Sequence, residues 1–126
     1  MIAPGARGEL LRRAVAAEPV LVHLYRNAYT QGPDTPLTRD ALTEVTGADY
    51  APQRILPAHW VIDGDEVTAP AVRWEFTQRH GWMYGYFVTG AESGLLLWAE
   101  RFVDGPYRIE AAEDALTIDP RVGWLG

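Results

Sequence analysis

The sequence predicts one mainly β domain, an antiparallel β-sandwich, preceded by a short N-terminal α-helix. Three observations carry this. From His59 onward, turn signals recur at Asp63-Gly64, His80-Gly81, Gly90, Asp104-Gly105-Pro106 and Glu113-Asp114. That is the spacing of short strands joined by tight turns in a sandwich or barrel. Between these signals, apolar and polar residues alternate with a period of two. Finally, 126 residues with 48% apolar and 22% charged side chains suffice for one ordinary core and not for two. The reading divides the chain into an N-terminal helical arm, residues 1–19, and a single β-sandwich domain, residues 20–126.

Residues 8–18 read as an amphipathic helix. Leu10, Leu11, Ala14 and Val15 form one apolar stripe, and Arg12 and Arg13 face away from it. Glu9 sits in the first turn, where the helix dipole favours an acid. Pro19 ends the helix, because the residue before a proline is pushed out of the α region. So short a helix must dock, on this domain or on a neighbour.

Residues 20–26 read as a strand, with Val20, Val22, Leu24 and Arg26 on one face and Leu21, His23 and Tyr25 on the other. Residues 27–36 form a loop containing Gly32-Pro33-Asp34. Leu37, Ala41, Leu42 and Val45 stand at helical spacing, closed by Gly47, and predict one or two helical turns. Residues 48–57, with Pro52 and Pro57, read as irregular.

Next, Trp60-Val61-Ile62 and Val67-Thr68-Ala69 flank Asp63-Gly64-Asp65-Glu66, a hairpin signal of the Asp-Gly type. Residues 71–77 alternate, with Val72, Trp74 and Phe76 opposed to Arg73, Glu75 and Thr77. Residues 82–89 alternate again, with Trp82, Tyr84, Tyr86 and Val88 opposed to Met83, Gly85, Phe87 and Thr89. The near-continuous apolar run 94–102 predicts a central strand buried on both faces. Residues 107–111 and 116–119 supply two closing strands.

Absences close several chemistries. Without Cys there is no disulfide, zinc–thiolate site or thiol nucleophile. All basic residues are Arg, so neither a phosphate-binding GxxxxGK[ST] loop nor a Schiff-base lysine can form. Ser93 is the only serine, and in Gly90-Ala91-Glu92-Ser93-Gly94 it stands one position late for a nucleophile elbow. A net charge of −6, with Arg scattered from Arg7 to Arg121, argues against nucleic acid. No apolar run has the length of a membrane span, and the N-terminus lacks the apolar stretch of a secretory signal.

The remaining polar candidates read structurally. Asp63, Asp65 and Glu66 form a solvated hairpin tip with too few oxygens for calcium. His23, His59 and His80 lack metal-ligand spacing and read as surface or half-buried histidines. Glu75 and Glu100, flanked by Arg73 and Arg101, read as members of cross-strand ion pairs rather than as a glycosidase pair. No catalytic, cofactor-binding or metal-ligating residue is therefore assigned, and no enzyme activity is expected. Among Trp60, Trp74, Trp82, Trp98 and Trp124, the row Trp82, Tyr84 and Tyr86 could stack sugars or a partner but reads as the inner face of the sandwich. Trp124, near the chain end, reads as an intersubunit contact.

Several blocks occur in a characteristic order. They are Glu9-Leu10-Leu11-Arg12-Arg13-Ala14-Val15, Val22-His23-Leu24-Tyr25-Arg26-Asn27, Leu42-Thr43-Glu44-Val45, Tyr50-Ala51 and Trp60. Tyr84-Gly85-Tyr86-Phe87-Val88-Thr89 and Leu97-Trp98-Ala99-Glu100-Arg101-Phe102 follow and are the most specific. This order resembles a group of small structural proteins of tailed bacteriophages over nearly the whole chain. That group carries no catalytic motif, so the resemblance implies no functional residue.

What the resemblance implies is a virion component made in the host cytoplasm. Its most concrete form is a capsid decoration or cement protein that clamps the outside of the major capsid protein shell as a homotrimer. A jelly-roll form of the sandwich follows by analogy with capsid proteins. Residues 8–18 and 27–36 are the expected docking segments. The alternative is a tail, baseplate or fibre module that recognises a host surface or glycan, and a third reading is a sugar-binding β module outside any phage. Nucleic acid, membrane and cofactors are not among the expected partners.

Overall fold

The computed structural model describes residues 13–29, 37–63, 66–110 and 114–122. These residues are mainly β, and every strand pair is antiparallel. The strands are β1 (Val20–Tyr25), β2 (Gln53–Ile55), β3 (Val61–Asp63), β4 (Glu66–Thr68), β5 (Val72–Glu75) and β6 (Gly81–Met83). They continue with β7 (Gly85–Gly90), β8 (Leu96–Arg101), β9 (Tyr107–Ile109), β10 (Ala115–Ile118) and β11 (Arg121–Val122). The ladders group them as β2-β1-β7-β8, β11-β4-β3, β10-β5 and β6-β9.

β1 and β7 are the centre of the molecule because both carry apolar side chains on both faces. Val20, Val22 and Leu24 point into the main core, where Val22 stands opposite Val88 and Leu24 opposite Tyr86. On the other face, Tyr25 and Phe87 build a second cluster with Leu42. Trp60, Val67, Trp74, Phe76, Ile109, Leu116 and Ile118 complete the main core from the other sheets. Trp60 packs edge-on against Trp98 at 5.8 Å.

One interruption shapes the functional surface. Only Tyr84 separates β6 from β7, and its backbone keeps the ladder, donating to Tyr25 O and accepting from Phe102 N. On the partner strand, residues 102–106 stand between β8 and β9, so five residues face one and must loop outward. Gly85 makes this possible: a Cβ there would overlap the Glu100 carbonyl oxygen and the Tyr25 ring. The alternation changes phase at the interruption, so that Met83 and Tyr86 share the main core although they are three residues apart.

Several expectations are met and several are corrected. The Asp-Gly hairpin is present as β3 and β4, with Asp63 opposite Glu66. Helix is observed at residues 13–17; Val15, 2% exposed, lies in the main core, so this helix docks on its own domain. Residues 8–12 lie outside the described residues.

The helical spacing of 37–45 yields a single 3-10 turn, Arg39–Ala41, without a side-chain cap. The chain then extends, and Leu42 and Val45 are buried in different clusters rather than on one helical face. The irregular stretch 48–57 contains β2, which adds to β1 through Val20 opposite Ile55. The run 94–102 is not a central strand: β8 stands at the sheet edge and is half-buried. Its apolar content is explained by two clusters, with Leu97 and Trp98 packed on one and Leu96 and Ala99 on the other.

Candidate functional site

Three polar groups tie loops and turns to the strands, and the first grows from β1. His23 sits between Val22 and Leu24 on a central strand, so it is buried rather than at the surface or half-buried as expected. Its ring stacks on Phe87 at 4.5 Å. Nδ1 lies 2.7 Å from Glu44 Oε2 and Nε2 lies 2.8 Å from Thr89 Oγ1. A carboxylate only accepts, so the His23 Nδ1–H donates to Glu44, and Nε2 shares a hydrogen bond with the Thr89 hydroxyl.

Glu44 Oε2 also accepts from the Tyr50 hydroxyl at 2.8 Å, and Oε1 accepts from Arg39 at 3.0 Å. The Tyr50 oxygen in turn accepts the Leu24 amide at 2.9 Å. Burial would raise the Glu44 carboxyl, but hydrogen bonds from His23 and Tyr50, with the charge of Arg39, hold it below its ordinary value. Burial pushes the Tyr50 phenol far above its ordinary value, and the Glu44 carboxylate adds to this.

Thr89, His23 and Glu44 thus align hydroxyl, imidazole and carboxylate in the order of a nucleophile, its base and an orienting acid. Thr89 is 5% exposed, however, and this keeps a substrate from the hydroxyl. As it stands, the arrangement fastens the 39–50 segment onto β1 and β7.

The second group does the same for another loop. Asp49 accepts from Thr77 N at 2.8 Å, Gln78 N at 3.2 Å and His80 Nε2 at 2.8 Å. Gly47, at φ +140°, lets the chain turn into this position, which is its role in place of the expected helix C-terminus. Burial opposes ionisation of Asp49, but the hydrogen bonds from His80 and Thr77 win and hold its carboxyl far below the usual range. In the third group, Glu18 accepts the Ser93 and Glu92 amides at 2.9 and 2.8 Å, tying the end of the helical segment to the β7–β8 turn. Those amides hold the Glu18 carboxyl low.

The other sequence candidates are dispersed. His59 is exposed at the end of a 3-10 turn. Glu75 and Glu100 lie in different sheets, on β5 and β8. Glu75 meets Arg73 on its own strand at 3.4 Å, and Glu100 accepts the Tyr86 hydroxyl at 2.6 Å. Arg101 stands over the Tyr84 ring. The row Trp82, Tyr84 and Tyr86 is split by the phase change. Trp82 is 47% exposed under Arg108, Tyr84 packs on the second cluster, and Tyr86 enters the main core. The side chains of Asp63, Asp65 and Glu66, and all of Trp124, lie outside the described residues.

An open cleft of about 270 Å³ lies between β8, the 102–106 excursion and the end of β10. Glu100, Arg101, Phe102, Val103, Thr117 and Asp119 line it over a floor that includes Tyr86 and Ile118. Sequence reading passed over this cleft, as it did Glu44, Asp49 and Tyr50. A polar residue inside an apolar strand, such as His23, was the one signal that internal partners were needed. Among the described residues, no three His, Asp or Glu side chains gather as a metal site, and no helix is long and apolar enough to cross a membrane. Comparison with protein-family models, with curated proteins and with solved structures finds no match to this chain.

Proposed function

We propose that this chain is a non-enzymatic structural protein of tailed bacteriophage particles, a decoration or cement protein that binds the outside of the major capsid protein shell. The sequence resemblance motivates the reading, and one structural observation carries it. The side chains best suited to chemistry are engaged in internal hydrogen bonds, while an apolar tip faces solvent. Val103, 94% exposed, extends from the 102–106 excursion beside the Phe102–Tyr107 ring pair. A contiguous apolar tip beside an edge strand suits contact with another protein better than contact with water. The homotrimer and the jelly-roll arrangement of the sheets belong to the same proposal.

The test adds the purified chain to shells assembled from major capsid protein alone. Saturable co-sedimentation is expected, and a chain that stays in the supernatant overturns the reading. Light scattering should give about 42 kDa for the trimer, three times the 14.0 kDa chain.

A second reading, a tail, baseplate or fibre module that recognises a glycan, is favoured by the exposed Trp82 ring and the Arg108 guanidinium 5.4 Å from it. It requires Trp82 fluorescence to respond to sugars, which shell binding does not.

A further inference from the structure

We infer that copies of this chain join by a knob and a hole, with the Val103 tip of one copy seated in the cleft between β8 and β10 of another. The inference deepens the proposed reading and rests on it only for the number of copies in the assembly.

Knob and hole come from one irregularity, the five residues 102–106 that face the single residue Tyr84 and loop outward. The Gly105 amide donates to the Phe102 carbonyl, so residues 102–105 form a closed turn with Val103 at its first central position. Below it the Phe102 and Tyr107 rings pack 5.0 Å apart. The tip is therefore held in shape before any contact is made, which lowers the cost of binding. Turn tips ordinarily carry Gly, Pro, Asn, Asp or Ser, each for a local reason. Nothing local calls for a valine that is 94% exposed, whereas contact with another protein does.

The hole beside it has a fixed apolar floor, because Tyr86 and Ile118 are 4% and 7% exposed. Its volume of about 270 Å³ falls below the roughly 300–1,000 Å³ of small-molecule sites. A cavity of about 150 Å³ already holds benzene, so the cleft has the size for one or two side chains.

Two features select a second copy as the occupant. Phe102 and Val103 form one wall of the cleft, so a seated tip packs on its own counterpart and covers the apolar surface of both copies at once. The rim carries both signs, with Arg101 next to Glu100 and with Asp119 on the opposite side. Arg101 is placed over the Tyr84 ring and Glu100 is held by the Tyr86 hydroxyl, so these charges have set positions. Such a rim is complementary to a rotated copy of itself, whereas a rim of one sign repels its copy.

The test measures the mass of the full chain by light scattering over a range of concentrations. A multiple of the 14.0 kDa chain mass is expected at high concentration. Val103→Asp should raise the concentration of half-assembly at least about tenfold, the loss of one buried valine side chain. Val61→Asp, at a 60% exposed position on β3, should leave it unchanged. In a mixture of isotopically labelled and unlabelled chain, filtered NOEs should connect the Val103 methyls of one copy to Ile118 of another.

A mass of 14.0 kDa at every concentration, an equal loss with Val61→Asp, or an assembly without those NOEs overturns the inference. The shell assay separates the two proposals. A monomer that still co-sediments with shells removes the contact between copies and keeps the shell, whereas a Val103-dependent assembly that leaves shells unbound does the reverse.

Discussion

Replacing Glu44 with alanine removes the acceptor on which His23 and Tyr50 converge. Two donors are then stranded, the His23 Nδ1–H and the Tyr50 hydroxyl, which now lie 2.7 and 2.8 Å from the carboxylate. A buried donor left without a partner costs about 1–3 kcal/mol. The contact with Arg39, whose side chain is 44% exposed, adds at most about 1 kcal/mol. The sum is about 2–7 kcal/mol, a large share of the roughly 5–15 kcal/mol that holds an ordinary domain. At about 4 °C per kcal/mol for a chain of this length, the melting temperature should fall by about 8–28 °C.

The assay is urea unfolding followed by tryptophan fluorescence, where the midpoint should move and the slope should not. Acid dependence provides a second reading of the same contact. Glu44 has a lowered pKa in the folded state. Its contribution is therefore complete above the unfolded value, about 4.3, and is lost as pH falls through the folded value. The gap between parent and Glu44→Ala should be full at neutral pH and narrow below about pH 4. A gap under about 0.5 kcal/mol at neutral pH, the size of an ordinary surface change, would refute the reasoning. So would a gap that widens with acid.

Gly85→Ala should cost more than about 3 kcal/mol, at or beyond the upper end of ordinary overpacking, because its Cβ meets the Glu100 backbone; an unchanged urea midpoint would contradict this. Asp49→Asn should lower the urea midpoint at neutral pH. Because Asp49 has a lowered folded pKa, its contribution is present above the unfolded value, about 3.9, and the variant should lose less midpoint than the parent as pH falls below it. Val15→Asp puts a charge into the main core and should abolish the cooperative thermal transition, whereas Ala16→Asp, on the exposed side, should stay within about 0.5 kcal/mol of the parent.

Local pattern reaches the strands but not the partners of their side chains. The two faces of β1 are written in Val20, Val22 and Leu24 against His23 and Tyr25, and the hairpin of β3 and β4 in Asp63-Gly64. His23, however, bonds to residues 21 and 66 positions away, which no local window contains. The same limit misplaces β8. A run of apolar residues reports burial, while position within a sheet depends on which distant strand pairs with it.

The phase change at Tyr84 is also unreadable locally, because the extra residues that cause it, 102–106, lie on the partner strand. The cleft between Glu100 and Asp119 follows from that same insertion, so it too was invisible until the strands were paired. β2 and β11, three and two residues long, are too short for a period of two to register.

The central claim, that the chain is a shell component, is tested most directly by its copy number in purified tailed-phage particles whose genome encodes it. Quantitative peptide mass spectrometry against the major capsid protein supplies that ratio. The account predicts hundreds of copies per particle, in fixed proportion to the capsid subunit. A handful to a few dozen copies, or none in the particle, would contradict it.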